Sequence, residues 1–232
     1  PMIPTALRAT TLALAGLLGL LGLLAHPAAQ ARVLRIEVTS SAPYGTFKGG
    51  EFVRLEGRIT GELPASDPIP GLDKAARNAR GAVEYKAPFV LIVPRGKAQG
   101  PGAGALLVEV PNRGRAISHH LYNSPREPFV STGSLAPGNG FLQDHGFGVA
   151  VLQWELGQGI ELPTFTDDQG ARRQVEGAGA AAIRDFAAFL RHATQDSTGT
   201  ANPVAGQFHR TLVVGYSQTA RVLKTMLVEG LT

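Results

Sequence analysis

The feature that most constrains the fold is a stretch near the C-terminal end, residues 210–231 of the 232-residue sequence. Residues 211–214, Thr-Leu-Val-Val, are β-branched or apolar, which is typical of a buried strand in a parallel sheet. A few residues later, apolar side chains recur at helical spacing, at Ala220, Leu223, Met226 and Leu227. The stretch therefore predicts a strand over residues 211–214 and a helix over residues 218–231.

Between this strand and helix lies Gly215-Tyr216-Ser217-Gln218-Thr219, a G-x-S-x-G pattern with threonine in its last position. A turn this tight holds its serine in a strained backbone conformation and lifts the hydroxyl clear of the sheet. The helix begins beside the serine, so its free N–H groups and positive dipole end face the reacting atom. We predict that Ser217 is a nucleophile and that the N–H of Gln218 stabilises an oxyanion. A serine in an ordinary tight turn is the alternative.

The composition narrows the function classes. The formal net charge is +4, but basic residues are interleaved with acidic ones and aromatic residues are few, so we predict no nucleic-acid partner. The sequence contains no cysteine, which excludes disulfides, thiolate catalysis and cysteine zinc sites. The length suits one domain with a proper core, and nothing in the sequence calls for a cofactor.

The first 31 residues have the pattern of a secretory signal peptide. Arg8 supplies a positive charge, residues 12–25 are apolar, and Ala29-Gln30-Ala31 forms an A-x-A cleavage site. A membrane anchor is the alternative, but the apolar run is short for a spanning helix. We expect cleavage before Arg32, and a periplasmic or secreted mature protein, residues 32–232, without a membrane span.

The remaining pattern predicts a mixed α/β domain. Alternating stretches at residues 33–39 and 51–59 predict an antiparallel hairpin, with a turn at Pro43-Tyr44-Gly45. Further strands are predicted at residues 83–85 and 89–93, separated by Pro88, and at residues 106–110 and 148–152. Helices are predicted at residues 74–78, 116–122, 141–145 and 175–192, and a loop at 157–170. The alternation after residue 106 favours a parallel sheet covered by helices on both faces.

Four segments carry a resemblance to a family of exported bacterial α/β-hydrolase domains. They are Ala87-Pro88-Phe89-Val90, residues 107–114 (Leu-Val-Glu-Val-Pro-Asn-Arg-Gly), residues 137–142 (Pro-Gly-Asn-Gly-Phe-Leu) and Gly215-Tyr216-Ser217-Gln218. The resemblance implies an α/β-hydrolase fold with a mostly parallel central sheet, an antiparallel N-terminal portion and helices on both faces. It implies a serine hydrolase that cleaves a small-molecule ester or related acyl bond through an acyl-enzyme on Ser217.

The resemblance also implies that the loop of Asn112, Arg113 and Gly114 supplies a second oxyanion donor. The sequence departs from the family pattern after Gln218, where Thr219 and Ala220 replace a serine and a glycine. Both residues are small enough for close packing of the helix on the strand.

Other residues are candidates with alternatives. Trp154 and Glu155 follow a predicted parallel strand at the edge where ligands collect, so Trp154 either lines a substrate pocket or packs under a loop. His119-His120 could bind a metal, and Asp167-Asp168 could bind calcium, but ordinary packing and solvated acids are favoured and we predict no metal site.

The catalytic base is not evident in the sequence. In the α/β-hydrolase fold the order is nucleophile, acid, histidine, but His145, His192 and His209 all precede Ser217. We therefore expect residues 32–232 to be the N-terminal part of a hydrolase domain, inactive alone and with one edge of the strand at 211–214 unpaired. The alternative function is a non-catalytic exported module that binds a ligand on the same fold.

Overall fold

The computed structural model describes residues 32–123 and 135–231. The predicted signal peptide, residues 1–31, lies outside these ranges. Within them, no helix has both the length and the apolar character needed to cross a membrane.

The described residues form eight strands and four helices. The strands are β1 (Val33–Phe47), β2 (Gly50–Pro64), β3 (Ala82–Pro94), β4 (Ala105–Val110), β5 (Gly148–Leu152), β6 (Thr164–Thr166), β7 (Arg172–Gln174) and β8 (Arg210–Gly215). The helices are α1 (Ile117–Asn123), α2 (Phe141–Asp144), α3 (Ala178–His192) and α4 (Gln218–Val228).

Six of the strands form one mixed sheet in the order β1-β2-β3-β5-β4-β8. The strand β2 pairs antiparallel with both β1 and β3, and β3 also pairs antiparallel with β5. The strand β4 pairs parallel with both β5 and β8. The predicted α/β architecture, with an antiparallel start that leads into parallel strands, is confirmed.

Helices cover both faces of the sheet because β4 and β5 are apolar on both sides. On one face, Leu106 and Val108 belong to the same core cluster as Phe186 of α3. On the other, Leu107 and Val149 belong to a cluster with Leu142 of α2. The continuous apolar runs of these strands therefore match two buried faces, as expected for parallel strands.

The turn of the first hairpin is not at Pro43-Tyr44-Gly45, as predicted, but at residues 48–49, so β1 is longer than expected. The strand passes the proline through a register shift between Pro43 and Gly45, which is how a β-bulge absorbs an extra residue. Tyr44 anchors this part of β1, because its hydroxyl donates to the carbonyl of Leu135 at 2.7 Å.

Pro88 does not divide β3 as predicted. It lies opposite Arg58 of β2, and its carbonyl accepts the N–H of Gln153 at 2.9 Å. Proline lacks only the donor of a peptide unit, so its acceptor still serves the strand.

The helix predicted at residues 74–78 is absent, and these residues form turns and irregular backbone. The N–H of Asn78 donates to the carbonyl of Ala82 at 2.8 Å, not to the carbonyl four residues earlier, and its Oδ1 accepts the backbone N–H groups of Arg80 and Ala82. Such side-chain bonds to nearby backbone compete with helical hydrogen bonds.

The predicted loop at residues 157–170 includes β6, which forms a small antiparallel hairpin with β7. Asp167 stabilises the connecting turn by accepting the N–H groups of Gln169 and Ala171.

The strand β8 differs from β4 and β5 in its exposure. Leu212 and Val213 remain 48% and 41% exposed. Among the described strands, β8 pairs only with β4, so its other edge is open.

Candidate functional site

The turn from β8 into α4 places Ser217 at the tip of the loop. Its backbone has φ 56° and ψ −110°, and the residue is exposed. Gly215 permits this tight turn, since a Cβ there would lie 2.8 Å from the carbonyl carbon of Thr219. A positive φ at a residue other than glycine costs about 1–3 kcal/mol and persists only where the surroundings enforce it.

Thr219 is one of the groups that enforce this conformation. Its side chain is fully buried, and its Oγ1 accepts the N–H of Tyr216 at 2.9 Å and donates to the carbonyl of Tyr216 at 3.1 Å. The departure from glycine in the sequence pattern is thus accommodated, and the hydroxyl adds two hydrogen bonds that glycine could not make.

Residues Asn112 to Arg115 follow β4 and form a second tight turn, called here the 112–115 turn. The N–H of Asn112 donates to the carbonyl of Arg115 at 2.9 Å, and the N–H of Arg115 donates back at 3.1 Å. The two central residues, Arg113 and Gly114, have φ 50° and 75°. Positive φ at both central positions is the pattern of a two-residue type I′ turn.

The 112–115 turn and the Ser217 turn lie side by side. The parallel register pairs Val110 with Gly215, so β4 and β8 end together at one edge of the sheet. Asn112 then joins the two turns, because its Nδ2 donates to the carbonyl of Tyr216 at 3.0 Å. The predicted site residues Ser217, Gln218 and Asn112 are therefore brought together.

The carboxylate of Glu155, just beyond β5, contacts both turns. Its Oε2 accepts the N–H of Arg113 at 2.8 Å, and its Oε1 accepts a hydrogen bond from Nε2 of Gln218 at 3.1 Å. The N–H of Gln218 itself has no partner among the hydrogen bonds of the described residues. Sequence reasoning placed Glu155 at the correct strand end but assigned no role to it.

Trp154 makes the contacts of a packing residue. Its Nε1 donates to the carbonyl of Pro111 at 2.9 Å, and its half-buried ring packs against the core. On the other side, Gly179 of α3 approaches so closely that a Cβ there would lie 2.3 Å from the Trp154 carbonyl oxygen.

None of the described histidines hydrogen-bonds to Ser217. His119 is buried, with its Nε2 3.3 Å from Nδ2 of Asn123, and Nδ1 of His145 lies 2.8 Å from the carbonyl oxygen of Phe141. His209 lies at the opposite end of β8, where its N–H donates to the carbonyl of Gly104.

Neither candidate metal pair has the surroundings of a metal site. The described part of the chain contains no group of three or more histidine, cysteine, aspartate or glutamate residues placed to hold an ion. Asp167 forms an ion pair with Arg173 at 2.8 Å, and Asp168 forms one with Lys74 at 2.7 Å.

Glu109 on β4, three residues before Asn112, carries a buried carboxyl group, and the residue is only 1% exposed. Its oxygens accept the N–H groups of Ser118 at 2.6 Å and His119 at 2.8 Å, in the first turn of α1. Burial raises the pKa of Glu109 from 4.5 to about 7, although these hydrogen bonds oppose the shift.

The pKa of His119 moves in the other direction. Burial lowers it from 6.5 to about 4, and the nearby charges of His120 and Arg54 add to the effect. Glu109 and His119 are therefore both uncharged between about pH 4 and pH 7. The sequence pattern could have suggested Glu109, since it is the one charged residue in an otherwise apolar strand.

We predict that Thr219→Val destabilises the Ser217 turn although it preserves the side-chain shape. The N–H of Tyr216 would lose its acceptor, which should lower the free energy of unfolding by about 1–2 kcal/mol. Thr219→Ser, the matched control, keeps the hydroxyl and loses one buried methyl group, so it should cost less than the Val variant, about 0.8 kcal/mol. Urea unfolding measures both, and equal stabilities for the Val and Ser variants would contradict the role of the hydroxyl.

The buried pair also predicts a pH dependence of stability. Because its folded-state pKa is raised, Glu109 contributes stability that is present below pH 4.5 and is lost as the pH rises through about 7. Because its folded-state pKa is lowered, His119 contributes stability that is present above pH 6.5 and is lost as the pH falls through about 4. Between pH 4.5 and pH 6.5 the two contributions change with pH in opposite directions. Each slope is up to about 1.4 kcal/mol per pH unit, so the two should nearly cancel in this window.

Single variants should expose each slope. Relative to wild type, Glu109→Gln should give a free energy of unfolding that increases from pH 4.5 to pH 6.5, and His119→Asn one that decreases over the same window. Urea unfolding at three pH values in this window measures both. Parallel profiles for the wild type and the two variants would show that the pair does not titrate as described.

Comparison with solved structures finds partial similarities to esterases. A CE15 glucuronoyl esterase from Teredinibacter turnerae T7901 aligns with a TM-score of 0.40 and 16% identity, covering 88% of this chain and 44% of the esterase. LipA, a rice cell wall degrading esterase from Xanthomonas oryzae, aligns with a TM-score of 0.38 and 15% identity, covering 86% and 46%. The chain thus spans less than half the length of either esterase, and likeness at this level assigns it neither fold nor activity. No protein family profile and no curated protein matches the sequence.

Proposed function

We propose that this chain carries the nucleophile of an exported serine hydrolase that cleaves an ester or related acyl bond of a small molecule. The observation that carries the proposal is the exposed Ser217, held at φ 56° and ψ −110° between a parallel strand and a helix. Strained backbone of this kind is concentrated at functional sites, where it presents a reactive group in a fixed direction.

The proposed reaction has two halves. The Oγ of Ser217 attacks the acyl carbon and gives its proton to a base, and the former carbonyl oxygen becomes an oxyanion that accepts the N–H of Gln218. The leaving group departs with a proton from the protonated base, which leaves an acyl-serine ester. Water then attacks this ester by the same steps and releases the acid. A well-placed N–H donor contributes on the order of 100-fold or more to such a rate.

No residue of the described ranges is assigned as the base or as its acid partner. A ring nitrogen of His119 and of His145 lies near another group, His209 lies at the opposite end of β8, and none of the described histidines hydrogen-bonds to Ser217. We propose that the chain described here supplies the nucleophile and an oxyanion donor of this activity.

A fluorophosphonate probe tests the nucleophile in the full-length natural protein. We expect covalent labelling of Ser217, loss of labelling and ester turnover in Ser217→Ala, and a change in stability within about 1 kcal/mol because the side chain is exposed. Ser197→Ala removes an exposed hydroxyl elsewhere and should leave labelling unchanged. Absence of labelling in the wild type would refute the hydrolase and favour a non-catalytic binding module.

Export is tested separately by sequencing the mature N-terminus. We expect Arg32 as the first residue of protein recovered from the periplasm or the medium, because Ala29 and Ala31 are small residues at the cleavage positions. Replacing both alanines by leucine should cause the uncleaved precursor to accumulate. Recovery of the wild type with an intact leader would contradict the predicted cleavage.

A further inference from the structure

The segment after β5 supports the 112–115 turn at several points. Gln153 anchors the segment to β3 through its N–H bond to the carbonyl of Pro88. The Trp154 indole donates to the carbonyl of Pro111, immediately before the turn. Gln158 lies against Gly114, since a Cβ on Gly114 would be 2.2 Å from Oε1 of Gln158. The 112–115 turn therefore packs against the segment that follows β5.

Glu155, in the same segment, also contacts the Ser217 turn. Its two carboxylate oxygens are divided between the N–H of Arg113, at 2.8 Å, and the side-chain amide of Gln218, at 3.1 Å. A carboxylate forms charge-assisted hydrogen bonds, which are stronger and more directional than neutral ones. One side chain thus connects the ends of β5, β4 and β8.

The 112–115 turn needs such support at Arg113. A left-handed conformation at a residue with a Cβ costs about 1–2 kcal/mol relative to the right-handed one. Arg113 has φ 50°, and its N–H bond to Glu155 requires the peptide to keep this orientation. Loss of the acceptor would remove one of the interactions that hold this conformation, beside the two backbone hydrogen bonds between Asn112 and Arg115.

We propose that Glu155 is a positioning residue, which holds the 112–115 turn and the first residue of α4 in the arrangement that oxyanion stabilisation requires. This inference rests on the proposed hydrolase function. In it, the N–H of Arg113 binds Glu155 and is not an oxyanion donor, and the N–H of Gln218 is the donor. Glu155 acts through Arg113 and Gln218, since none of its hydrogen bonds involves Ser217.

Three variants of the full-length protein test the proposal. Glu155→Ala removes both acceptors, and Glu155→Gln keeps one amide oxygen for Arg113 while its NH₂ can donate to a flipped Gln218 amide. Glu161→Ala is the matched control. Glu161 lies in the same segment after β5, but its carboxylate pairs with Arg58 and Lys86.

We expect Glu155→Ala to lower kcat for an activated ester by about 10-fold or more, with KM changed less than about 2-fold, because the lost interaction acts in the transition state. The fluorophosphonate labelling rate should fall in parallel. Glu155→Gln should restore most of the activity, and Glu161→Ala should match wild type. A residue important only for folding would not produce this separation of kcat from KM or this rescue.

Hydrogen exchange of the Arg113 amide provides a second readout that does not require activity. Protection of this N–H should be lost in Glu155→Ala and retained in Glu155→Gln and Glu161→Ala. If the wild type reacts with the probe but Glu155→Ala reacts equally fast, or if Arg113 protection is unchanged, the positioning role is wrong and the hydrolase proposal survives. If the wild type does not react at all, the hydrolase proposal fails. The hydrogen bonds of Glu155 to Arg113 and Gln218 then have no catalytic role.

Discussion

The parallel pairing of β4 with β8 is the interaction on which the candidate site depends. Its register sets Val110 beside Gly215, so that the two turns that follow these residues emerge at the same level. Asn112 can reach the carbonyl of Tyr216 only because the strands end together. A slip of one residue in this pairing would reverse the faces of β8 and separate the two turns.

The sequence predicted the parts of the site that depend on local pattern. An apolar strand, a short glycine–serine turn and a helix can be recognised together, so Ser217 and Gln218 were placed at a strand-to-helix turn, where the structure has them. The strands at residues 106–110 and 148–152 were also recognised, because buried parallel strands are apolar throughout. Because these strands are parallel, their C-terminal ends lie at one edge of the sheet, and this can be predicted without knowing any side-chain contact.

The parts that sequence missed depend on side chains that meet across the fold. The contact of Glu155 with Arg113 joins residues 42 positions apart, and its direction is set by the loop after β5. The sequence pattern also does not predict side-chain hydrogen bonds in turns. Asn78 and Asp167 each accept two backbone N–H groups, in regions where a helix and a loop are predicted and other structure is found. The long strand β1 shows the opposite error, because a bulge carries it past a proline that usually ends a strand.

The threonine at position 219 has a consequence for the motion of the nucleophile. Threonine is branched at Cβ, so its χ1 torsion has few accessible rotamers, and both hydrogen bonds to Tyr216 depend on that one torsion. The entropy lost when the turn becomes ordered is therefore small at this side chain, because the rotamer is already restricted in the unfolded chain. The close approach of the helix at Gly215 is thus combined with a restricted torsion at Thr219, which should narrow the range of directions that the Ser217 hydroxyl samples.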